Sequence, residues 1–161
     1  MSEKRSGGLF VGPLTAESGI ATLVEALDLF RGARVEVIDL GVPARADVHA
    51  KMRRAAYLVM PSLSYEATPR ALIEAFAHGL PVIASRLGSL AELVEPGRNG
   101  LLFEPGSARD LARRLAWAEA FPEKMRQMGL CARADYDARF GAEWGWQRLY
   151  GERRRSARAT P

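Results

Sequence analysis

Residues Ala55–Glu92 read AAYLVMPSLSYEATPRALIEAFAHGLPVIASRLGSLAE, and the punctuation of this stretch decides the fold. Tyr57-Leu-Val-Met60 is a short apolar run stopped by Pro61-Ser62, which suits a strand buried on both faces. Thr68-Pro69 then announces a helix, because threonine is a good N-cap and proline is preferred at the first helical position. Gly79 closes that helix, and Pro81 forbids its continuation. Pro81-Val-Ile-Ala84 is the next strand, and Gly88-Ser89 opens a short helix through Val94. Strand, helix, strand, helix in such quick succession implies a parallel sheet with helices on both faces.

The alternation continues outward in both directions. Gly8-Leu-Phe-Val-Gly12 is a glycine-bounded apolar run, a candidate buried strand. Ile20, Leu23, Val24, Leu27 and Phe30 form one helical stripe, with Glu25 and Asp28 off it. Arg34 to Leu40 reads as a strand. Ala46 to Ala56 reads as a helix with Val48, Met52 and Ala55 inward and Lys51, Arg53 and Arg54 outward. Downstream, Leu101-Leu-Phe103 is the last strand, and Pro105-Gly106-Ser107 caps a helix from Ala108 to Ala120. A second helical stretch runs from about Pro122 to Arg139, and an aromatic-rich one (Trp144, Trp146, Tyr150) leads into an arginine tail. The expected architecture is a Rossmann-like α/β domain with a doubly wound parallel sheet of about five strands. It spans residues 8–150, between a polar N-terminal segment (1–7) and a basic tail (151–161).

With 161 residues, 48% of them hydrophobic, the chain builds a core without a disulfide or metal staple. The single cysteine, Cys131, cannot close an internal disulfide and fits a reducing compartment. No apolar run approaches the roughly 20 residues of a membrane span, and MSEKRSGG leads no signal-peptide core. The expected localisation is cytoplasmic. The net charge of +4 owes much to the terminal arginines, a run of the kind that is usually solvated; membrane contact is expected to be peripheral at most. No metal-ligand spacing of cysteine and histidine and no aromatic–basic stripe occurs, so neither a structural metal nor a nucleic-acid partner is expected.

Ligands of open α/β sheets bind at the carboxyl ends of the strands, where strand order reverses. The first strand and the strand ending at Met60 are the natural neighbours there, which brings the loops GPLTAESG and PSLSYEATP to one crevice. The helix after Thr68-Pro69 offers the backbone N–H groups of Arg70, Ala71 and Leu72 and the positive end of its dipole, an anion site. Glu74 follows about one and a half turns in. Its carboxylate suits two vicinal hydroxyls of a ribose, or a salt bridge back to Arg70 at i,i−4, and the spacing does not choose between them. His78, before Gly79, sits where a cation suits the helix dipole. His49 reads as a surface residue. The glycines of GGLFVG do not form G-x-G-x-x-G, and no acidic residue is expected to end the second strand, which argues against an NAD enzyme.

Glu66-Ala-Thr-Pro-Arg-Ala-Leu-Ile-Glu74 resembles the E-x7-E motif of retaining glycosyltransferases of the GT-B fold, group 1 (family 4). The similarity extends from Ala55 through the helix ending near Ala120, and GLFVGPLTAESGIATLVEAL is similar to the first strand, loop and helix of the family's C-terminal, donor-binding half. Phe140 to Tyr150 is similar to its closing helix. The resemblance implies a transferase half that binds a nucleotide-diphosphate sugar as substrate, retains anomeric configuration, and uses neither a metal nor a cofactor. It implies Glu66 as the catalytic carboxylate beside the donor hexose and Glu74 as the ribose ligand. Gly12 and the amides around Thr68, Arg70, Ala71 and Leu72 are implied around the diphosphate and sugar hydroxyls.

Three departures accompany the resemblance. The family's first loop usually reads like G-R-L-x-x-E-K-G, whereas here Pro13 stands at the arginine and Ser18 at the lysine, leaving Arg70, Arg86 or Arg98 as replacements. One strand–helix unit stands where the family has two, and the strand at Val35 to Leu40 is expected beside the first strand. The acceptor-binding half has no counterpart, so a separate subunit would have to supply it. The alternative readings are a degenerate, non-catalytic nucleotide or glycan binder and a homodimeric interaction module.

Overall fold

The computed structural model describes residues 4–39, 45–65 and 69–140. Glu66 and Thr68, the closing helical stretch after Phe140 and the basic tail lie outside the described residues. Five strands form one fully parallel sheet: β1 (Gly8–Gly12), β2 (Val35–Asp39), β3 (Tyr57–Met60), β4 (Val82–Ser85) and β5 (Gly100–Phe103), in the spatial order β2-β1-β3-β4-β5. Order reverses between β1 and β3, as the loop pairing requires, and β2 takes the edge beside β1. The register sets Leu9 against Leu58, Val59 against Ile83 and Ile83 against Leu101.

The apolar runs are continuous because both sheet faces are covered, and the two-residue period of a strand divides them between two cores. Leu9, Leu58, Val82, Ala84 and Leu102 point to one face. There they meet Val48 and Met52 of α2 (Arg45–Arg54), Leu72, Ile73 and Phe76 of α3 (Arg70–Ala77) and Leu90 of α4 (Gly88–Leu93). Phe10, Val59, Ile83 and Phe103 point to the other face. They meet Leu23 and Ala26 of α1 (Ile20–Leu29), Leu111 and Leu115 of α5 (Ala108–Ala120) and Met125 and Met128 of α6 (Pro122–Asp135). Phe76, 1% exposed, is a keystone of the first core, and truncation to alanine there would cost roughly 3–5 kcal/mol.

Several expectations shift in detail. Val24 is 56% exposed, because the buried stripe of α1 runs through Thr22, Leu23 and Ala26. Pro69 is the N-cap of α3 rather than its first helical residue, so the helix begins at Arg70. α6 ends at Asp135 and widens into a π-helix over Tyr136–Phe140. β2 closes on Asp39, so an acidic residue does end the second strand, and the case against a dinucleotide rests on the glycine pattern alone.

Two ties matter for the site. At the end of α3, Gly79 (φ 66°) turns left-handed, and the Leu80 N–H donates to Ala75 O while the Gly79 N–H donates to Phe76 O. Two guanidiniums complete that end: Arg5 donates to His78 O (2.6 Å) and Gly79 O (3.3 Å), and Arg133 donates to Ala77 O. At the far side, Arg98 grips Asp135 with both nitrogens (2.6 and 2.7 Å) and Asn99 Nδ2 donates to the same carboxylate (2.7 Å), fastening the turn before β5 to α6.

Candidate functional site at the carboxyl end of the sheet

The switch point between β1 and β3 is closed by backbone. The Leu63 N–H donates to Glu17 O (2.9 Å), joining the loop after β1 to the loop after β3. Gly19 makes this possible: its φ is +78°, and a Cβ there would stand 1.7 Å from Pro61 O. Gly12 ends β1 at the mouth of the crevice, and a Cβ on it would meet only the Phe10 ring at 3.4 Å, an ordinary contact. The chain's own packing barely demands a glycine there.

α3 begins at this crevice. Its first ladder bond runs from the Ile73 N–H to Pro69 O (3.2 Å), so the amides of Arg70, Ala71 and Leu72 precede the ladder and supply the helix's positive end. The Leu72 side chain is fully buried, and Ala71 is half-buried. Glu74 is a buried carboxylate with 4% side-chain exposure. Its Oε1 accepts from Arg70 Nε at 3.0 Å, and its Oε2 lies 3.7 Å from His49 Nε2 of α2. The salt bridge to Arg70 thus exists, and because Glu74 is buried, removing Arg70 would cost more than the tenths of a kcal/mol lost with an exposed i,i+4 pair, since it strips a buried carboxylate of a charge-assisted contact. His49 is half-buried against the site rather than on the surface. The His78 ring lies 5.0 Å from that of His49, and burial, with His49, Arg53, Arg5 and Arg133 around it, lowers the His78 pKa to about 4. His78 is therefore neutral near pH 7, and Arg5 and Arg133 supply the cations at the helix end.

The three candidate phosphate cations separate cleanly. Arg98 is spent on Asp135 and Glu95. Arg70 is on Glu74. Arg86, immediately after β4, is exposed and has no ion-pair partner among the described residues. In the first loop Pro13 is exposed, and the Ser18 hydroxyl turns back to Thr15 O (2.8 Å). The same strand ends carry exposed apolar side chains that the sequence reading did not single out: Leu14 (55%), Leu63 (47%) and Tyr65 (69%). The Tyr65 ring lies over Gly88 at the start of α4, where a Cβ would come within 2.5 Å of it. Its place directly before Glu66 was the one available signal. A cavity of about 570 Å³ opens instead at the amino end of the strands, among Lys4, Gly7, Arg34, Arg54 and Glu119. The carboxyl end of α2 points there, and its basic last turn offsets the negative pole of the helix rather than marking the strand-end site. Among the described residues no three histidine, cysteine or acidic side chains group as metal ligands, and no helix is long and apolar enough to cross a membrane.

The family description "Glycosyl transferases group 1" matches residues 31–135. The chain belongs to that family. It is 31% identical over 129 residues to uncharacterized glycosyltransferase MJ1178 of Methanocaldococcus jannaschii, covering 67% of this chain and 36% of that protein. It is 38% identical over 107 residues to a D-inositol 3-phosphate glycosyltransferase of Streptomyces bingchenggensis, covering 66% of this chain and 23% of that protein. The group 1 chain thus spans about a third or less of these relatives. Among solved structures, it resembles sucrose-phosphate synthase from Thermosynechococcus elongatus with a TM-score of 0.76 and 26% identity, covering all of this chain and 47% of that one. It also resembles Anabaena Alr3699/HepE, solved in complex with UDP-glucose, with a TM-score of 0.69 and 24% identity over 83% of this chain and 45% of that one. The five-stranded parallel sheet is the GT-B Rossmann-like half.

Proposed function

We propose that this domain binds a nucleotide-diphosphate sugar in the β1/β3 crevice and acts as the donor half of a retaining glycosyl transfer, with the acceptor half supplied by another domain or subunit. The observation that carries this reading is Glu74: a carboxylate buried one and a half turns inside a helix whose first turn opens on the switch point. Its two oxygens suit the two vicinal hydroxyls of a ribose, and the solved complexes of Alr3699/HepE with UDP and UDP-glucose support a nucleotide sugar as the ligand class.

In this reading the diphosphate lies over the amides of Arg70, Ala71 and Leu72, with the backbone at Gly12 opposite. Because the Glu74 side chain is only 4% exposed, a ribose reaches it when the Arg70 guanidinium turns outward, which also delivers a cation to the diphosphate. Arg86 supplies a second. Together they stand in for the cations missing at Pro13 and Ser18 and stabilise charge developing on the leaving diphosphate, so that no metal or cofactor is required. Glu66 is assigned to the hexose from the motif.

The cation-free first loop favours a second reading, in which the domain binds donor without transferring it. A thermal-shift panel of UDP-, GDP- and ADP-sugars tests the donor site: one base series should raise Tm, and no response to any of them rejects the site. Sugar transfer on co-expression with an acceptor-half partner separates the first reading from the second.

A further inference from the structure

We propose that the cavity at the amino end of the strands is a second ligand site, built for a phosphorylated sugar. It stands independently of the donor reading, because it lies at the opposite end of the sheet from the β1/β3 crevice.

The cavity exists because α6 covers only part of the sheet's amino end. That helix passes from one core to the other, with Met125 and Met128 in the core of Phe103 and Leu115, and Ala132 in the core of Phe76 and Leu80. On the way it lays Gly129 against Gly79, and Asp135 takes the Arg98 fork from the turn before β5. The starts of β1 and β2 are left open, and there a space of about 570 Å³ lies between the end of α2 and the end of α5. That is the size of a small-molecule site. Gly7, Gly8 and Gly32 leave its wall bare of side chains.

Backbone bonds fix the charged groups around the opening. The Gly8 N–H donates to Arg34 O (2.8 Å) on one side of the entering chain, and the Ser6 N–H donates to Arg54 O (3.0 Å) on the other. Arg34 and Arg54 thus flank Gly7 at two interstrand spacings, about 10 Å apart along the backbone frame. Neither side chain makes an ion pair or hydrogen bond among the described residues, and neither does that of Lys4, which lines the same space. Lys51 is spent on Glu36, so that pair adds no net charge. Glu119 is oriented from below. Burial pushes the Tyr57 phenol up, so it stays protonated and donates to Glu119 Oε2 (2.7 Å), leaving the other oxygen to accept from a ligand. Three unpaired cations outnumber this carboxylate and the negative pole of α2, so the cavity selects an anion. Guanidinium forks suit the oxygens of a phosphate. The carboxylate in the same wall disfavours a bare polyanion and suits hydroxyl donors. A phosphate monoester of a polyol meets both demands.

Calorimetry on the 161-residue chain tests this with glucose 1-phosphate, glucose 6-phosphate, inorganic phosphate and glucose as probes. At least one hexose phosphate should bind one to one, inorganic phosphate more weakly, and glucose not at all. Arg34→Gln and Arg54→Gln should each weaken hexose phosphate binding roughly tenfold. Arg109→Gln, the same loss of charge at the far end of α5, should leave it unchanged. Glu119→Gln should weaken the hexose phosphate while inorganic phosphate binds as tightly or more so. Failure of both hexose phosphates to bind, or an equal loss in Arg34→Gln, Arg54→Gln and Arg109→Gln, overturns the site. Inorganic phosphate binding as tightly as the hexose phosphates overturns the sugar assignment. Glu74→Gln separates this site from the donor crevice: with its urea transition intact it should bind the hexose phosphate as the wild type does, and a loss there overturns the placement.

Discussion

Replacing Asp135 with alanine tests whether Arg98 is a structural tie rather than a donor-site cation. Asp135 is 7% exposed and accepts from both Arg98 nitrogens and from Asn99 Nδ2, which is itself buried in a side chain 1% exposed. Alanine leaves the Asn99 amide with one remaining acceptor, Leu93 O at 3.1 Å, and loss of a buried polar contact of this kind costs about 1–2 kcal/mol. The Arg98 fork is half-exposed and screened, and adds a smaller amount. Set against a domain of this size, a total near 2 kcal/mol lowers Tm by roughly 4–8 °C, readable by calorimetry and urea titration. The pH dependence follows from the Arg98 and Asn99 contacts, which hold the Asp135 carboxyl below the usual carboxylate range. Stability from this group is present above its unfolded-state value, about 3.9, and is lost as pH falls through the lower folded value. Nucleotide affinity should not change, since the tie stands at α6. A cost under about 0.5 kcal/mol, or an altered nucleotide affinity with the fold intact, would refute the assignment.

Three further outcomes follow from the geometry. Gly19→Ala should destabilise by about 3 kcal/mol or more in urea, because it combines left-handed strain with a backbone clash at Pro61 O; a loss under 1 kcal/mol would contradict the loop zipper. His78 has a folded pKa of about 4 against an ordinary 6.5, so the unfolded chain binds the extra proton between these values and stability must fall as pH drops from 6.5 towards 4. For a half-buried ring the loss is about 1–2 kcal/mol, and His78→Gln should flatten that part of the pH–stability curve. Arg86→Ala should weaken sugar-nucleotide binding roughly tenfold with no change in Tm, since Arg86 is exposed and holds no ion pair among the described residues.

Much of the fold was legible because burial on both sheet faces leaves uninterrupted apolar runs. Tyr57–Met60 and Pro81–Ala84 could be read as buried strands from four residues each, the second forming one residue later, over Val82–Ser85. The edge position of β2 followed from the missing strand–helix unit, and its burial agrees, since Ile38 alone of its five residues is buried. Val24 misled because one apolar residue beside a true stripe is indistinguishable from the stripe in a single helix. At the site, the Arg70–Glu74 contact was readable because i,i+4 neighbours meet on any helix. Contacts between elements carried no such period. Nothing in the sequence ties residue 49 to 74, residue 98 to 135, or Arg5 to the end of α3, since each depends on how two helices or a terminus are set by the shared core. His78 was misassigned for the same reason: the cations that serve its helix end come from elsewhere in the chain.

The donor-site account stands most directly on one titration, UDP-glucose into the wild-type chain and into Glu74→Ala and Glu74→Gln by isothermal calorimetry, extended to other bases if UDP fails. The account predicts one-to-one binding to the wild type, weakened by about tenfold or more in both variants while their urea transitions remain cooperative. Binding that is indifferent to Glu74, or no binding to any nucleotide sugar, would contradict it.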